Sequence, residues 1–211
     1  MAHLVNKENI HLYEQQIGQM YQHRHQVFVE KLRWNLPLAK DGLEIDQYDT
    51  EDAIYILSLD KNLNVVGSMR LLPTIQDHLM SDLFSHLLNI PEPIGDSIWE
   101  SSRTCLKPSV EIPVEKNTVI NDIFIGMAEA AVMLGIETVT FVANMQIYST
   151  LLAFGGKVEP LGFPQYDADG EEIIASSVKI NQGVLDSVWQ SHGIMAPTLN
   201  YIDPRRNQAV A

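Results

Sequence analysis

The sequence predicts an α/β (α+β) chain, a single mixed, twisted sheet with helices on both faces. Three observations carry this. Apolar residues recur at helical spacing over 10–28, 119–134 and 184–190; β-branched or alternating runs fill 53–60, 65–72, 98–106, 137–143 and 173–180; and Gly, Pro or Asp-Gly signals separate them. Helices and strands interleave along the chain, the pattern of helices layered on a sheet. A chain of 211 residues can bury one good-sized core, so 1–211 is read as one domain, its tail loose from about residue 197.

The elements follow in order. Ile10, Tyr13, Ile17, Met20, Tyr21, Arg24, Val27 and Phe28 form a helical stripe that Asn9 is placed to cap. Arg24 lies within that stripe. Two readings stay open: its stem lies on the core while its head reaches water, or it is a buried guanidinium that requires carboxylate partners. Residues 33–52 read as a loop in which Asp41, Glu44, Asp46, Asp49, Glu51 and Asp52 alternate with Leu43, Ile45 and Tyr48, so part of it should be packed. Trp34 in this loop needs cover from core or ligand. A hairpin follows, with Lys61-Asn62-Leu63-Asn64 as its turn and Arg70 on its return strand. A short helix over 80–88 leads to a strand over 98–106 that carries Glu100 and Arg103. The apolar helix at 119–134 ends at Gly135, a good helix terminator. A central strand, a helix over 146–154, short strands and a last helix over 184–190 complete the chain.

Composition excludes several functions. Apolar residues are 45% and charged residues 19%, an ordinary globular balance. A net charge of −13 repels phosphate backbones, and Arg205-Arg206 is too small a basic patch to overcome it, so no nucleic-acid partner is expected. The single cysteine, Cys105, permits no internal disulfide and fits a reducing compartment. No basic-then-apolar leader and no apolar run near the roughly 20 residues that span a bilayer are read, so a cytoplasmic protein with no membrane partner is expected.

Most site chemistries fail on inspection. His23 and His25 fall on different helix faces, and Asp167-Ala168-Asp169-Gly170 lacks the later ligands of a calcium loop, so no metal is expected. Cys105 in a strand reads as a small buried hydrophobe. Ser101 and Ser102 lack a glycine-flanked nucleophile elbow, and the VVGSMR run has one glycine where a phosphate loop needs several. What remains is an arginine–carboxylate set. It is either a structural ion-pair network or a site for a ligand bearing both an amine and a carboxylate, with arginine forked onto the carboxylate and acids on the ammonium.

Those residues stand in a recognisable order: RHQVFVEKLRW from Arg24 to Trp34, EIDQYD with Asp46 and Asp49, GSMRLLPT with Arg70, and WESSR with Glu100 and Arg103. This joint pattern resembles the acyl-homoserine-lactone synthases of the LuxI type, strongly over residues 20–110 and by element order beyond. The resemblance implies a GNAT-like acyltransferase fold. It also implies a reaction in which an acyl thioester and S-adenosylmethionine give an acyl-homoserine lactone, a free thiol and methylthioadenosine. Both reactants are substrates, and no cofactor is implied. By position, Arg24, Phe28, Trp34, Asp46, Asp49, Arg70 and Arg103 would bind S-adenosylmethionine. Glu100 would be the base, with Arg70 and Arg103 at the reacting centre. Met127, Val142, Ala143 and Leu152 would wall the acyl pocket, and alanine at 143 implies a chain without a 3-oxo group.

The donor is acyl-carrier protein or acyl-CoA. The helix that would dock an acidic carrier, QIYSTLLAFGG, has no Lys or Arg, which removes one steering term. Glu100 and Arg103 also have opposite strand parity, so only a bulge brings both into one site. Two other functions fit the residues less well. One is a GNAT-type acyltransferase on another amine, though the usual coenzyme-A pyrophosphate loop is not visible. The other is a non-catalytic binder of a zwitterion, which an intact Glu100 argues against.

Overall fold

The computed structural model describes residues 1–155 and 157–205. The chain gathers into two compact units, each discontinuous in sequence. The first takes Met1–Arg70, Arg103–Met127 and the stretch from Thr198; the second takes Leu71–Ser102 and Ala128–Pro197.

In the first unit, β1 (Ala2–Val5) pairs antiparallel with β2 (Ile54–Leu59), which neighbours β3 (Val65–Pro73) and then β4 (Ile98–Leu106). β1 was not expected, because MAHLV is short and carries no turn signal. The β2–β3 turn is closed by Asp60, whose side chain accepts from the N–H groups of Asn62 and Asn64 at 2.8 and 2.9 Å. A short 3-10 turn, Ile10–Leu12, precedes α1 (Glu14–Arg24), and α1 runs directly into a π-helical segment, His25–Lys31. Asn9 is not a side-chain cap. Its Oδ1 accepts from the Asn6 N–H, and its Nδ2 donates to the carbonyls of Leu4 and Ile202. That bond and the bridge between His3 and Asn200 tie residues 198–202 to β1, so the tail expected to be loose is held at least that far.

In the second unit the order is β3, β4, β5 (Thr138–Asn144), β8 (Glu172–Lys179) and β6 (Val158–Pro160), with β7 (Gln165–Tyr166) also on β8. β4 and β5 are parallel and β5 and β8 antiparallel, so the sheet is mixed as expected. A parallel pair needs a crossover, supplied by α3 (Pro113–Leu134). α2 (Leu79–Asp82) and a 3-10 turn at Ser85–Leu87 replace the single short helix that was expected. α4 (Met145–Ala153) and α5 (Gln182–His192) match their sequence signals. Asn144 and Asn181 cap them through the N–H groups of Ile147 and Val184.

α3 corrects one expectation: by length and composition it is long and apolar enough to cross a bilayer. Ile123, Ala130 and Ala131 on it are nonetheless fully buried. Small residues bring α3 close to the strands of the first unit. A Cβ on Gly67 would come within 2.5 Å of Val119, and one on Gly126 within 2.4 Å of Ala2. The lone glycine of VVGSMR therefore makes room for a helix.

Candidate functional site: a charge-balanced arginine–carboxylate network

α1 delivers Arg24 to the interior, where it is 1% exposed. Its guanidinium forks onto Asp49, Nη1 to Oδ1 at 2.8 Å and Nη2 to Oδ2 at 2.9 Å, while Nε donates to Glu44. This settles the choice left open by sequence: the head is buried and paired. Arg70, from β3, forks onto Asp46 at 2.6 and 3.1 Å and lies 2.9 Å from Asp49. Arg103, from β4, reaches Glu44 at 3.1 Å and Asp46 at 2.9 Å.

Three guanidinium groups thus face three carboxylates, all within the first unit. Charges this deep are tolerated only when paired and hydrogen-bonded on every side. The loop from Glu44 to Asp49 makes this possible by folding on itself. The Asp46 N–H donates to Asp49 Oδ2, the Tyr48 N–H to Asp46 Oδ1, and the Glu44 N–H to the Tyr21 carbonyl. Burial alone would raise the Asp49 carboxyl. The bonds and charge of Arg24, the charge of Arg70 and the Asp46 N–H overcome it and hold the group well below the usual carboxylate range. For Arg24 too, burial opposes the charged form, and Asp49 and Glu44 outweigh it.

Aromatic rings wall the network. Phe28, on the π-helical segment, stacks on Trp34 with centroids 4.9 Å apart and planes 15° from parallel. Trp34 finds its cover there and keeps 38% of its surface exposed. The guanidinium carbons of Arg103, Arg24 and Arg70 lie 5.6, 5.2 and 5.8 Å from the ring centres of Phe28, Tyr21 and Tyr48. The Tyr55 hydroxyl donates to Asp49 at 3.0 Å and lies 3.2 Å from that of Tyr21. A recess of about 340 Å³ is lined by Tyr21, Asp49 and Tyr55 together with Lys7 and Glu51.

Sequence reasoning missed Glu44. Arithmetic held the signal, since three arginines against Asp46 and Asp49 leave a surplus positive charge, and Glu44 lies in the same acidic loop, 1% exposed. Glu100 belongs to the second unit, 2% exposed, and its two oxygens accept the N–H groups of Leu79 and Met80 at 2.8 and 2.9 Å. Arg103, on β4, adopts φ +52°, which breaks the regular strand geometry at that residue. Cys105 is buried beside Ser68 at 3.7 Å, and burial pushes its thiol up to about 11, which makes it a poor nucleophile.

The residues expected around an acyl chain lie on α3, β5 and α4. Val142 packs on a cluster of Met80, Leu87, Leu161, Ile173 and Ala175 in the second unit. Ala143 is buried on β5; Leu152, expected as a wall, is 48% exposed; and Met127 belongs to the first unit.

This geometry has close relatives. Residues 8–182 match the family model described as autoinducer synthase. The chain is 31% identical over 213 aligned residues, covering 100% of this chain and 93% of the relative, to an isovaleryl-homoserine lactone synthase of Bradyrhizobium diazoefficiens. The structure of a CoA-dependent acyl-homoserine lactone synthase, BjaI, with S-adenosylmethionine and isopentyl-CoA superposes with a TM-score of 0.86 at 30% identity, covering 97% of this chain and 94% of that one. A second CoA-dependent synthase, MesI, gives 0.81 at 30% identity, with 94% and 98% covered. An acyl-CoA N-acyltransferase from Pseudomonas aeruginosa shares the fold alone, with a TM-score of 0.53 at 15% identity and 82% and 97% covered. With the family model matched over most of its length and the expected arginines and aspartates gathered in one network, the chain belongs to the autoinducer synthase family.

Proposed function

We infer that this acyltransferase joins an acyl group from acyl-CoA to the amine of S-adenosylmethionine and then closes the lactone, releasing methylthioadenosine. The observation that carries the reading is the balanced network itself. A zwitterionic amino-acid head group adds one positive and one negative charge, so it can enter a site of three guanidiniums and three carboxylates without leaving an unpaired charge. In this reading Arg24, Phe28, Trp34, Asp46, Asp49, Arg70 and Arg103 form the head-group site, with Glu44 added to them.

The chemistry asks for little more. The amine, with a free pKa of roughly 7.7–8.0, loses a proton before it attacks the thioester carbonyl. Glu100 is the base in this proposal, taking the proton directly or through water. The thiolate leaves as the amide forms. The substrate carboxylate then displaces methylthioadenosine from its own γ-carbon, a step that needs positioning above all.

Two observations favour acyl-CoA over a carrier protein. The full-length relatives BjaI and MesI are CoA-dependent, and α4 has no Lys or Arg with which to steer an acidic partner. Ala143, buried on β5, accords with an acyl chain lacking a 3-oxo group. The test is incubation with S-adenosylmethionine and matched panels of acyl-CoA and acyl-carrier thioesters, with products read by mass spectrometry. Acyl-homoserine lactone and methylthioadenosine formed in step, from the CoA donors, is the expected result. Turnover with carrier thioesters alone, or mainly 3-oxo products, contradicts the donor reading, and no lactone from any donor contradicts the function.

A further inference from the structure

Glu100 is anchored by α2, a helix of four residues, too short to hold its own shape in water. Something else must fix the two N–H groups that grip the carboxylate. The residue before α2 is His78, extended at φ −150° and 1% exposed. Its side chain makes no capping bond to the helix. Instead Nδ1 lies 2.8 Å from the Gln76 carbonyl and Nε2 lies 2.7 Å from Glu92 Oε1. A carbonyl and a carboxylate are both acceptors. Both ring nitrogens are thus engaged, which fixes the plane of the imidazole. The turn is closed further by the Ser81 hydroxyl, which donates to the His78 carbonyl at 3.0 Å.

We propose that His78 and Glu92 act as positioning residues for Glu100: the Glu92–His78 pair locks the backbone ahead of Leu79 and Met80, and so sets the position of the carboxylate those two N–H groups hold. The inference rests on the reading of Glu100 as the base. In this proposal both residues act through the backbone that holds Glu100 and not through contact with substrate. Their effect is on the rate of the chemical step and not on the binding of either substrate, because a base displaced by a fraction of an ångström loses proton-transfer efficiency while the binding groups stay where they were.

The experiment compares His78→Gln, Glu92→Gln, Glu92→Asp and Glu100→Gln in the full chain. It reads kcat, KM for S-adenosylmethionine and for isovaleryl-CoA, calorimetric affinity for S-adenosylmethionine, and thermal unfolding. Glu92→Gln and His78→Gln are expected to lower kcat by about tenfold or more with both KM values within about twofold of wild type, and Glu92→Asp to recover most of the loss. Where His78→Gln does not fold, Glu92→Gln carries the test, since its side chain keeps the size and loses only the charge. Turnover lost in Glu100→Gln but kept within about twofold in Glu92→Gln and His78→Gln overturns the positioning role alone, as does a rise in KM at unchanged kcat. Turnover kept in Glu100→Gln overturns the reading of Glu100 as base, and the positioning role falls with it.

Discussion

The arginine network of the first unit and the apolar cluster of the second bury side chains by opposite means. In the first, Arg24, Arg70 and Arg103 are paired against Glu44, Asp46 and Asp49, and each charge is held by at least two partners. In the second, Met80, Leu87, Leu161, Ile173 and Ala175 pack without directional bonds, with Phe84, Leu88 and Val142 at the margin. The first arrangement is unforgiving, because removing one member strands a charge in a dry interior. The second tolerates exchange of one aliphatic for another as long as volume is kept.

The contrast can be broken at its strongest point first. Arg24→Met leaves Asp49 and Glu44 short of their main partner and is expected to cost about 3–5 kcal/mol, read by chemical denaturation. A loss under about 1 kcal/mol would mean that the network is not a mutually dependent unit. The second unit is expected to be most sensitive where backbone, not side chain, sets the packing. A Cβ on Gly162 would lie 1.9 Å from the Leu87 carbonyl oxygen, so Gly162→Ala should destabilise by about 1–3 kcal/mol, while Leu87→Met should cost less than about 1.5.

Acidity is a gentler probe of the same difference. Burial, with the charge of Lys107, lowers the His23 imidazole from 6.5 to about 4, and its Nδ1 has no hydrogen-bond partner among the described residues. The unfolded chain therefore binds a proton there that the folded chain refuses, and stability should fall as pH drops from about 6.5 toward about 4. Asp49 adds a second loss below about 3.8, where the unfolded carboxyl takes up a proton and the folded one resists. His23→Phe should flatten the upper part of the titration and leave the lower part. Unfolding midpoints measured across this range in both proteins check it. The smallest expected effect is that of Trp34→Ala, about 1 kcal/mol in stability, because the ring is partly exposed and its main contact is the stack on Phe28. Its loss should show more clearly in S-adenosylmethionine affinity.

How much of this was legible follows from the same physics. Arg24 was visible because a charge inside an apolar helical stripe is an exception that needs partners, and Asp46, Asp49, Arg70 and Arg103 were the residues able to supply or share them. Glu44 was visible only to charge counting. The left-handed backbone of Arg103 on β4 leaves no mark in residue type. The acyl side was least legible. Leu, Ile, Val and Met serve any core equally, so residue type alone does not separate the wall of an acyl pocket from ordinary packing. The π-helical turn that presents Phe28 was read as ordinary helix, since three- and four-residue spacings fit both.

The central claim is that the paired charges of the first unit receive the head group, while Glu100 serves the reaction and not the grip. Calorimetric titration of S-adenosylmethionine into wild type, Asp46→Asn and Glu100→Gln tests it most directly. Asp46→Asn should lose affinity by about tenfold or more, and Glu100→Gln should bind within about twofold of wild type. Equal affinity for Asp46→Asn and wild type, or a large loss confined to Glu100→Gln, would contradict it.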